Sequence, residues 1–182
     1  MDRPRQVVIL AGGQGTRLRP LTDTRPKPMI EFHGKPFLEY LIELVKEQGF
    51  QRVLLLLGYM PELIQQHFGD GSRFGLQIEY AVSAVEDDTG RRMRLAKDRM
   101  DQIFLAMYCD NYWPMRFDRM WAQFEAANPL GLLTVYDNTD NATRDNVKVD
   151  ASGVVTTYDK DRGAPGLHGV DIGFGIFRRE VI

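Results

Sequence analysis

The chain has 182 residues, 43% hydrophobic and 26% charged, with a formal net charge of −2 at pH 7. That length fits one domain with a sizeable core, and the near-neutral charge gives no reason to expect nucleic acid or a membrane surface as partner. A single cysteine, Cys109, excludes an internal disulfide and suits a reducing, cytoplasmic setting.

From the N-terminus, Met1-Asp-Arg-Pro-Arg runs directly into the apolar stretch Val7-Val-Ile-Leu10, so no signal peptide is expected. No apolar run approaches the length of a bilayer span. Residues 7–10 read as a buried strand of a parallel sheet. A glycine-rich arm follows, in which prolines at 20, 26 and 28 exclude a helix. Pro36 then opens a helix with an apolar face of Phe37, Leu38, Leu41, Ile42, Leu44 and Val45, ended by Gly49. Residues 53–57 predict a second buried strand, residues 61–68 a short helix stopped by Gly69, and residues 76–82 a third strand.

A helix is expected over roughly residues 89–99 and a fourth strand over residues 103–109, leading into Asp110-Asn111. Phe117, Met120, Trp121 and Phe124 carry helical spacing, closed near Asn128-Pro129. A fifth strand covers residues 132–136, after which residues 146–150 and 154–158 flank Ala151-Ser-Gly153 as an antiparallel hairpin. Residues 170–177 form a last, glycine-rich strand. Strands alternating with amphipathic helices predict an α/β sheet covered on both faces.

The chemistry concentrates in Leu10-Ala-Gly-Gly-Gln-Gly-Thr-Arg-Leu-Arg-Pro20 and Pro26-Lys-Pro-Met29. Glycines after a strand let backbone approach a ligand closely and aim amides at an anion. Arg17, Arg19, Arg25 and Lys27 add cations that a polyphosphate would need; the alternative is a glycine-rich turn with solvated arginines. The stretch is not a P-loop, because no Lys-Ser or Lys-Thr pair follows Gly15. It is not a dinucleotide fingerprint either, because counting from Gly13 the third position is Leu18. Leu18 and the prolines likewise disfavour an NAD-dependent oxidoreductase.

Asp110 at a strand's carboxyl end is a candidate Mg²⁺ ligand, with helix capping as the alternative. The histidines, His33, His67 and His168, are scattered, and Cys109 reads as a buried strand residue.

These blocks resemble the signature of the sugar-1-phosphate nucleotidyltransferases, also called nucleotide-sugar pyrophosphorylases. The resemblance continues through Gly34-Lys-Pro-Phe-Leu-Glu-Tyr40, Gly69-Asp-Gly-Ser-Arg-Phe-Gly-Leu76, Asp110, Tyr158-Asp-Lys160 and Val170-Asp-Ile-Gly-Phe-Gly175. It implies a three-layer, Rossmann-like nucleotidyltransferase fold, mainly parallel with a small antiparallel hairpin. It also implies a cytoplasmic enzyme that joins a nucleoside triphosphate to a sugar 1-phosphate and releases pyrophosphate. By the same resemblance, Leu10, Ala11, Gly12, Gly13, Gly15, Thr16 and Gly90 would bind the nucleotide, and Arg17 would neutralise the departing pyrophosphate. Lys27 would bridge the reacting phosphates, Asp110 would hold Mg²⁺, and Lys160 and Asp171 would contact the sugar phosphate and sugar.

Within the family, Tyr158-Asp-Lys160 with Val170-Asp171 is similar to heptose 1-phosphate guanylyltransferases of cell-surface glycan synthesis, lipopolysaccharide included, which makes GTP the favoured nucleotide. Base, sugar (heptose or hexose) and homo-oligomeric state stay open.

The chain departs from the pattern in three places. Asp87-Asp-Thr-Gly-Arg-Arg92 stands where the family has Leu-Gly-Thr-Gly/Ala-Gly-Ala; there Arg91 and Arg92 are extra phosphate or sugar ligands, or a solvated helix start. Cys109 replaces the usual glycine. The family's second magnesium aspartate would fall beyond Ile182, so residues 1–182 are expected to form a single nucleotidyltransferase domain missing its usual C-terminal segment, whether as a fragment, a shortened protein that binds metal with one carboxylate, or an inactive relative. A catalytically inactive nucleotide or nucleotide-sugar sensor on the same fold is the alternative function.

Overall fold

The apolar runs become the centre of a sheet. In the computed structural model, which describes residues 2–182, β1 (Gln6–Ala11) lies between two parallel neighbours, β4 (Arg52–Leu57) and β6 (Ile103–Tyr108). On the far side of β4 lies β5 (Gln77–Val82), also parallel. With β7 (Gly131–Tyr136) and β10 (Val170–Arg178), the strands form a six-stranded sheet in the order β5-β4-β1-β6-β10-β7. Val7, Val8 and Ile9 are all fully buried although neighbouring side chains point to opposite faces. Both faces of the sheet are therefore covered, as a parallel sheet requires. On one face, the strand residues Val8, Leu54, Leu56, Phe104 and Ala106 are covered by Ala96 and Met100.

Register sets where the chemistry falls. Ala11 stands opposite Leu57, Leu57 opposite Val82, and Leu10 opposite Tyr108. The residues that follow these strands (Gly12, Gly58, Ser83 and Cys109-Asp110) thus emerge together at the carboxyl edge of the sheet, where open α/β folds keep their ligand groups.

Helix α1 (Phe37–Glu47) buries Leu38, Leu41, Ile42, Leu44 and Val45 as expected. Gly49 at φ +86° ends it, with the Gly49 and Phe50 amides donating back to the carbonyls of Lys46 and Val45. Helix α2 (Pro61–Phe68) and helix α4 (Phe117–Ala127) also match their patterns. Two differences stand out. A two-residue antiparallel ladder, β2 (Glu31–Phe32) with β3 (Lys35–Pro36), forms around His33 and Gly34. Both turn residues have positive φ, the geometry of a tight hairpin, and runs this short carry no readable alternation. The helix expected to reach Arg99 stops earlier: α3 spans Thr89–Leu95, and Lys97–Arg99 is a separate 3-10 turn. The Ala96 amide is shared between the Arg92 and Met93 carbonyls, which tightens the chain out of α geometry at that point.

Contacts divide the chain into two compact units, one running up to Leu132 together with Gly175–Ile182, the other Leu133–Phe174. The second contains the expected hairpin, β8 (Val147–Val149) against β9 (Val155–Tyr158). Its turn is held by the Asp150 carboxylate, which accepts the Ser152 and Val154 amides, with Gly153 at φ +86°.

Candidate functional site

The glycines after β1 have separate reasons to be glycine. Gly15 is left-handed at φ +65°, and a Cβ there would lie 3.0 Å from both Thr22 Cγ2 and Lys27 Cβ. Thr22 is 1% exposed and its hydroxyl donates to the Gly15 carbonyl at 3.0 Å. Tyr59 ties the same region twice: its amide donates to the Gly12 carbonyl at 3.2 Å and its hydroxyl to the Thr22 carbonyl at 3.1 Å. Gly13 is exposed with open space around it, so backbone there is accessible to a ligand. Ala11 is buried and Leu10 half-buried, while Thr16 and Arg17 are exposed on a single 3-10 turn, Thr16–Leu18. A second such turn spans Lys27–Met29, so the proline-stiffened arm holds no α-helix.

The structure separates the four cations. Lys27 Nζ reaches across 83 residues of sequence to Asp110 Oδ2 at 2.7 Å. Arg19 pairs with Asp23 at 3.4 Å and Arg25 with Glu31 at 3.5 Å, both on the arm itself. Among the described residues no carboxylate pairs with Arg17. The cluster expected from sequence is therefore two self-paired arginines, one free arginine, and a lysine joined to the candidate metal ligand.

Asp110 is positioned by the sheet: the Cys109 amide donates to the Leu10 carbonyl at 3.3 Å, which keeps the chain beside β1 for one residue past β6. The Asp110 side chain is 41% exposed. Among the described residues no group of three His, Cys, Asp or Glu donors could enclose a metal. A solvent-facing, hard carboxylate, paired here with the Lys27 head group, is compatible with a divalent ion such as Mg²⁺, which takes one or two carboxylates and completes its shell with phosphate oxygens and water. Burial, then the neighbouring Asp110 charge, pushes the Cys109 thiol up to about 12. The thiol stays protonated and is no nucleophile.

The segment that departs from the family pattern divides in function. Gly90 is exposed in the first turn of α3, whose N-terminus is capped by Asp88 Oδ1 accepting the Arg91 amide at 2.8 Å. Arg91 is solvated and pairs with Asp87 at 2.6 Å, one of the two expected alternatives. Arg92 fits neither. It is 6% exposed, and its guanidinium turns inward beneath Gly12 and Gly58 to donate to backbone and hydroxyl oxygens. It is not placed to ligate phosphate or sugar directly, nor is it solvated.

In the second unit, Asp171 is half-buried and fully engaged: its Oδ1 accepts the Gly173 amide at 2.8 Å and its Oδ2 the Tyr158 hydroxyl at 3.1 Å. Its own amide donates to Asn146 Oδ1 at 2.9 Å. Lys160 is exposed in the turn after β9, next to Asp159, whose carboxylate accepts the amides of Asp161, Gly163 and Ala164. Those amide bonds hold the Asp159 carboxyl below the usual aspartate range.

Sequence reasoning missed Thr22, Gly58, Tyr59 and the inward course of Arg92. Gly58 carried a readable signal, a glycine directly after a fully apolar strand at the same edge as Gly12. Thr22 and Tyr59 carried none, because a threonine in a proline-rich arm and a tyrosine in a loop are ordinary.

A family model described as nucleotidyl transferase matches residues 6–160. A UTP–glucose-1-phosphate uridylyltransferase of Haloferax volcanii is 38% identical over 106 residues, 58% of this chain and 43% of that protein. A D-glycero-alpha-D-manno-heptose 1-phosphate guanylyltransferase of Campylobacter jejuni is 40% identical over 85 residues, 47% of this chain and 38% of that protein. The chain spans less than half the length of these curated relatives. The crystal structure of HddC from Yersinia pseudotuberculosis complexed with GMP-PN superposes with a TM-score of 0.80 at 24% identity, covering 98% of this chain and 79% of that one. At that identity the likeness speaks for the fold. The matched stretch begins at β1 and takes in the glycine arm, Lys27 and Asp110, and on this ground the chain belongs to the nucleotidyl transferase family.

Proposed function

We propose that this chain carries the nucleotide-binding part of a magnesium-dependent enzyme joining a nucleoside triphosphate to a sugar 1-phosphate, giving an NDP-sugar and pyrophosphate. GTP is the favoured nucleotide and a heptose or hexose 1-phosphate the sugar, serving bacterial cell-surface glycan synthesis. The observation that carries the reading is the meeting of Lys27 and Asp110 at 2.7 Å, at the sheet edge where the glycine arm begins. The similarity to the Campylobacter heptose 1-phosphate guanylyltransferase supports the guanine and heptose preference.

The chemistry needs no general base. A sugar phosphate oxygen, already anionic, attacks the α-phosphorus and pyrophosphate leaves. The obstacle is repulsion between two polyanions, which positioned cations and amides reduce. The backbone from Leu10 to Gly15, with Thr16 and Gly90, takes the nucleotide, Arg17 neutralises the departing pyrophosphate, and Lys27 turns from Asp110 to the reacting phosphates. Asp110 would hold Mg²⁺, which supplies charge neutralisation when bound. Lys160 and Asp171 receive the sugar phosphate and sugar. Nothing in this scheme asks for Cys109 or a histidine. His67 pairs with Glu39 at 2.8 Å, and His33 forms the β2–β3 turn.

The test is pyrophosphate release from a panel of the four ribonucleoside triphosphates and dTTP, each with heptose, mannose and glucose 1-phosphates. Turnover fastest with GTP supports the full reading. Tight nucleotide binding without turnover on any pair would refute the enzyme and leave a sensor.

A further inference from the structure

We propose that Arg92 is a positioning residue for the nucleotide arm, a buried guanidinium that ties the ends of three parallel strands together from beneath. Its role toward the nucleotide rests on the function proposed above; the brace itself does not. One terminal nitrogen, Nη1, donates to the carbonyl of Leu57, the last residue of β4, at 2.8 Å, and to Ser83 Oγ, just past β5, at 2.8 Å. The other, Nη2, donates to the Val85 carbonyl at 3.0 Å and to the Gly12 carbonyl, just past β1, at 3.4 Å. A lysine could not replace this, because only a planar fork donates in several fixed directions at once.

The guanidinium also explains two glycines. A Cβ at Gly12 would lie 2.5 Å from Arg92 Cζ, and one at Gly58 would lie 2.5 Å from Arg92 Nη1. The strand ends close over the guanidinium only if neither position has a side chain. Two of its acceptors are shared: the Gly12 carbonyl also accepts the Tyr59 amide, and the Leu57 carbonyl also accepts the Ser83 amide. The Gly12 carbonyl is thereby turned inward and fixed from two sides, which sets the direction in which the chain leaves β1 toward Gly13 and Gly15.

All four acceptors are neutral. A buried cation without a carboxylate is expensive to desolvate, and such a charge persists where the surrounding dipoles over-determine its place. Its field lies directly under a backbone proposed to receive polyphosphate, so it favours that ligand without touching it.

The test compares Arg92→Met and Arg92→Lys with Arg91→Ala, its solvated neighbour. In nucleotide-free protein, amide hydrogen exchange of Tyr59 and Ser83 is expected to quicken about tenfold in Arg92→Met, while the β1–β4 ladder keeps its rates. Exchange that is unchanged, or that quickens uniformly across the sheet, overturns the brace. With substrates, the KM for the triphosphate is expected to rise about tenfold while that for the sugar 1-phosphate stays within about twofold, since only the arm is displaced. Arg92→Lys should recover less than half of the loss on a logarithmic scale and Arg91→Ala should match the parent. Equal KM values in parent and Arg92→Met overturn the role toward the nucleotide. If the parent turns over no substrate pair, the proposed function fails, and the exchange measurement still decides the brace. If Arg92→Met does not fold, Gly12→Ala displaces the guanidinium without deleting it, and the same local exchange pattern is expected; parent-like rates there overturn the proposal.

Discussion

Lys27→Ala separates the two things that Lys27 does. In the resting site it pairs with Asp110 at 2.7 Å, with the two side chains 30% and 41% exposed. A pair that solvated contributes about 0.2–1 kcal/mol. Removing the lysine should therefore leave the melting behaviour within about 1 kcal/mol of the parent. The same energy is what a divalent ion must overcome to take the carboxylate. Freed of its partner, Asp110 should bind the ion about 1.4- to 5-fold more tightly, at about 1.36 kcal/mol per tenfold. Turnover moves the other way. Loss of one preorganised donor to developing charge lowers turnover by about 10²–10³, or about 3–4 kcal/mol. The assay is Mn²⁺ titration by electron paramagnetic resonance on nucleotide-free protein, alongside pyrophosphate release and a thermal melt. A fall in turnover below about threefold with the fold intact refutes the catalytic role, since it is far under the loss expected for a preorganised donor. Unchanged or weaker ion binding refutes the competition between Lys27 and the metal.

Three further outcomes follow from single residues. Gly15→Ala forces a side chain into the left-handed region and against Lys27 Cβ and Thr22 Cγ2, so it should lose about 1–2 kcal/mol in a denaturant melt; an unchanged midpoint would show that the arm relaxes freely. With its pKa raised to about 12, the buried Cys109 thiol should resist a disulfide reagent at pH 8 in native protein and react only on denaturation. Rapid native modification contradicts the burial that places Asp110. The Asp159 carboxyl is held low by the Ala164, Gly163 and Asp161 amides, so its charged form is the one the turn stabilises. Order in residues 159–164 should then be complete above the ordinary aspartate value of 3.8 and be lost only as pH falls through the lowered one. The Gly163 and Ala164 amide shifts would report this, and a midpoint at or above 3.8 would remove the turn as the support of Lys160.

The sheet was legible because parallel strands buried on both faces read as unbroken apolar runs, as residues 53–57 do. Helix α1 was legible because its buried positions recur at helical spacing between Pro36 and Gly49. The end of α3 was not, because Met93, Ala96 and Met100 keep a roughly helical spacing through a break in the backbone hydrogen bonding. Lys27 and Asp110 were each singled out, the one by its Pro-Lys-Pro setting and the other by its strand end. Their contact depends on how the arm folds back over β1, and no local pattern encodes that. Arg92 was misjudged for a related reason: an arginine in the first turns of a helix is ordinarily solvated, and only two distant glycines reveal the space it fills.

Charge balance ties these residues together. Lys27 and Asp110 cancel each other while the site is at rest, and Arg19 and Arg25 are spent on Asp23 and Glu31. What remains positive around the arm is Arg17 on its surface and Arg92 beneath it. A free triphosphate would meet a site with only moderate net attraction and a carboxylate in the way. Under the proposed function, a triphosphate whose charge is partly neutralised by a divalent ion would meet a carboxylate able to accept the ion and a lysine freed by that same exchange. The ion pair, contributing at most about 1 kcal/mol, would then be a weak bias on binding order rather than a stability device: it keeps both groups within reach of the phosphates and yields to an incoming divalent ion at small cost.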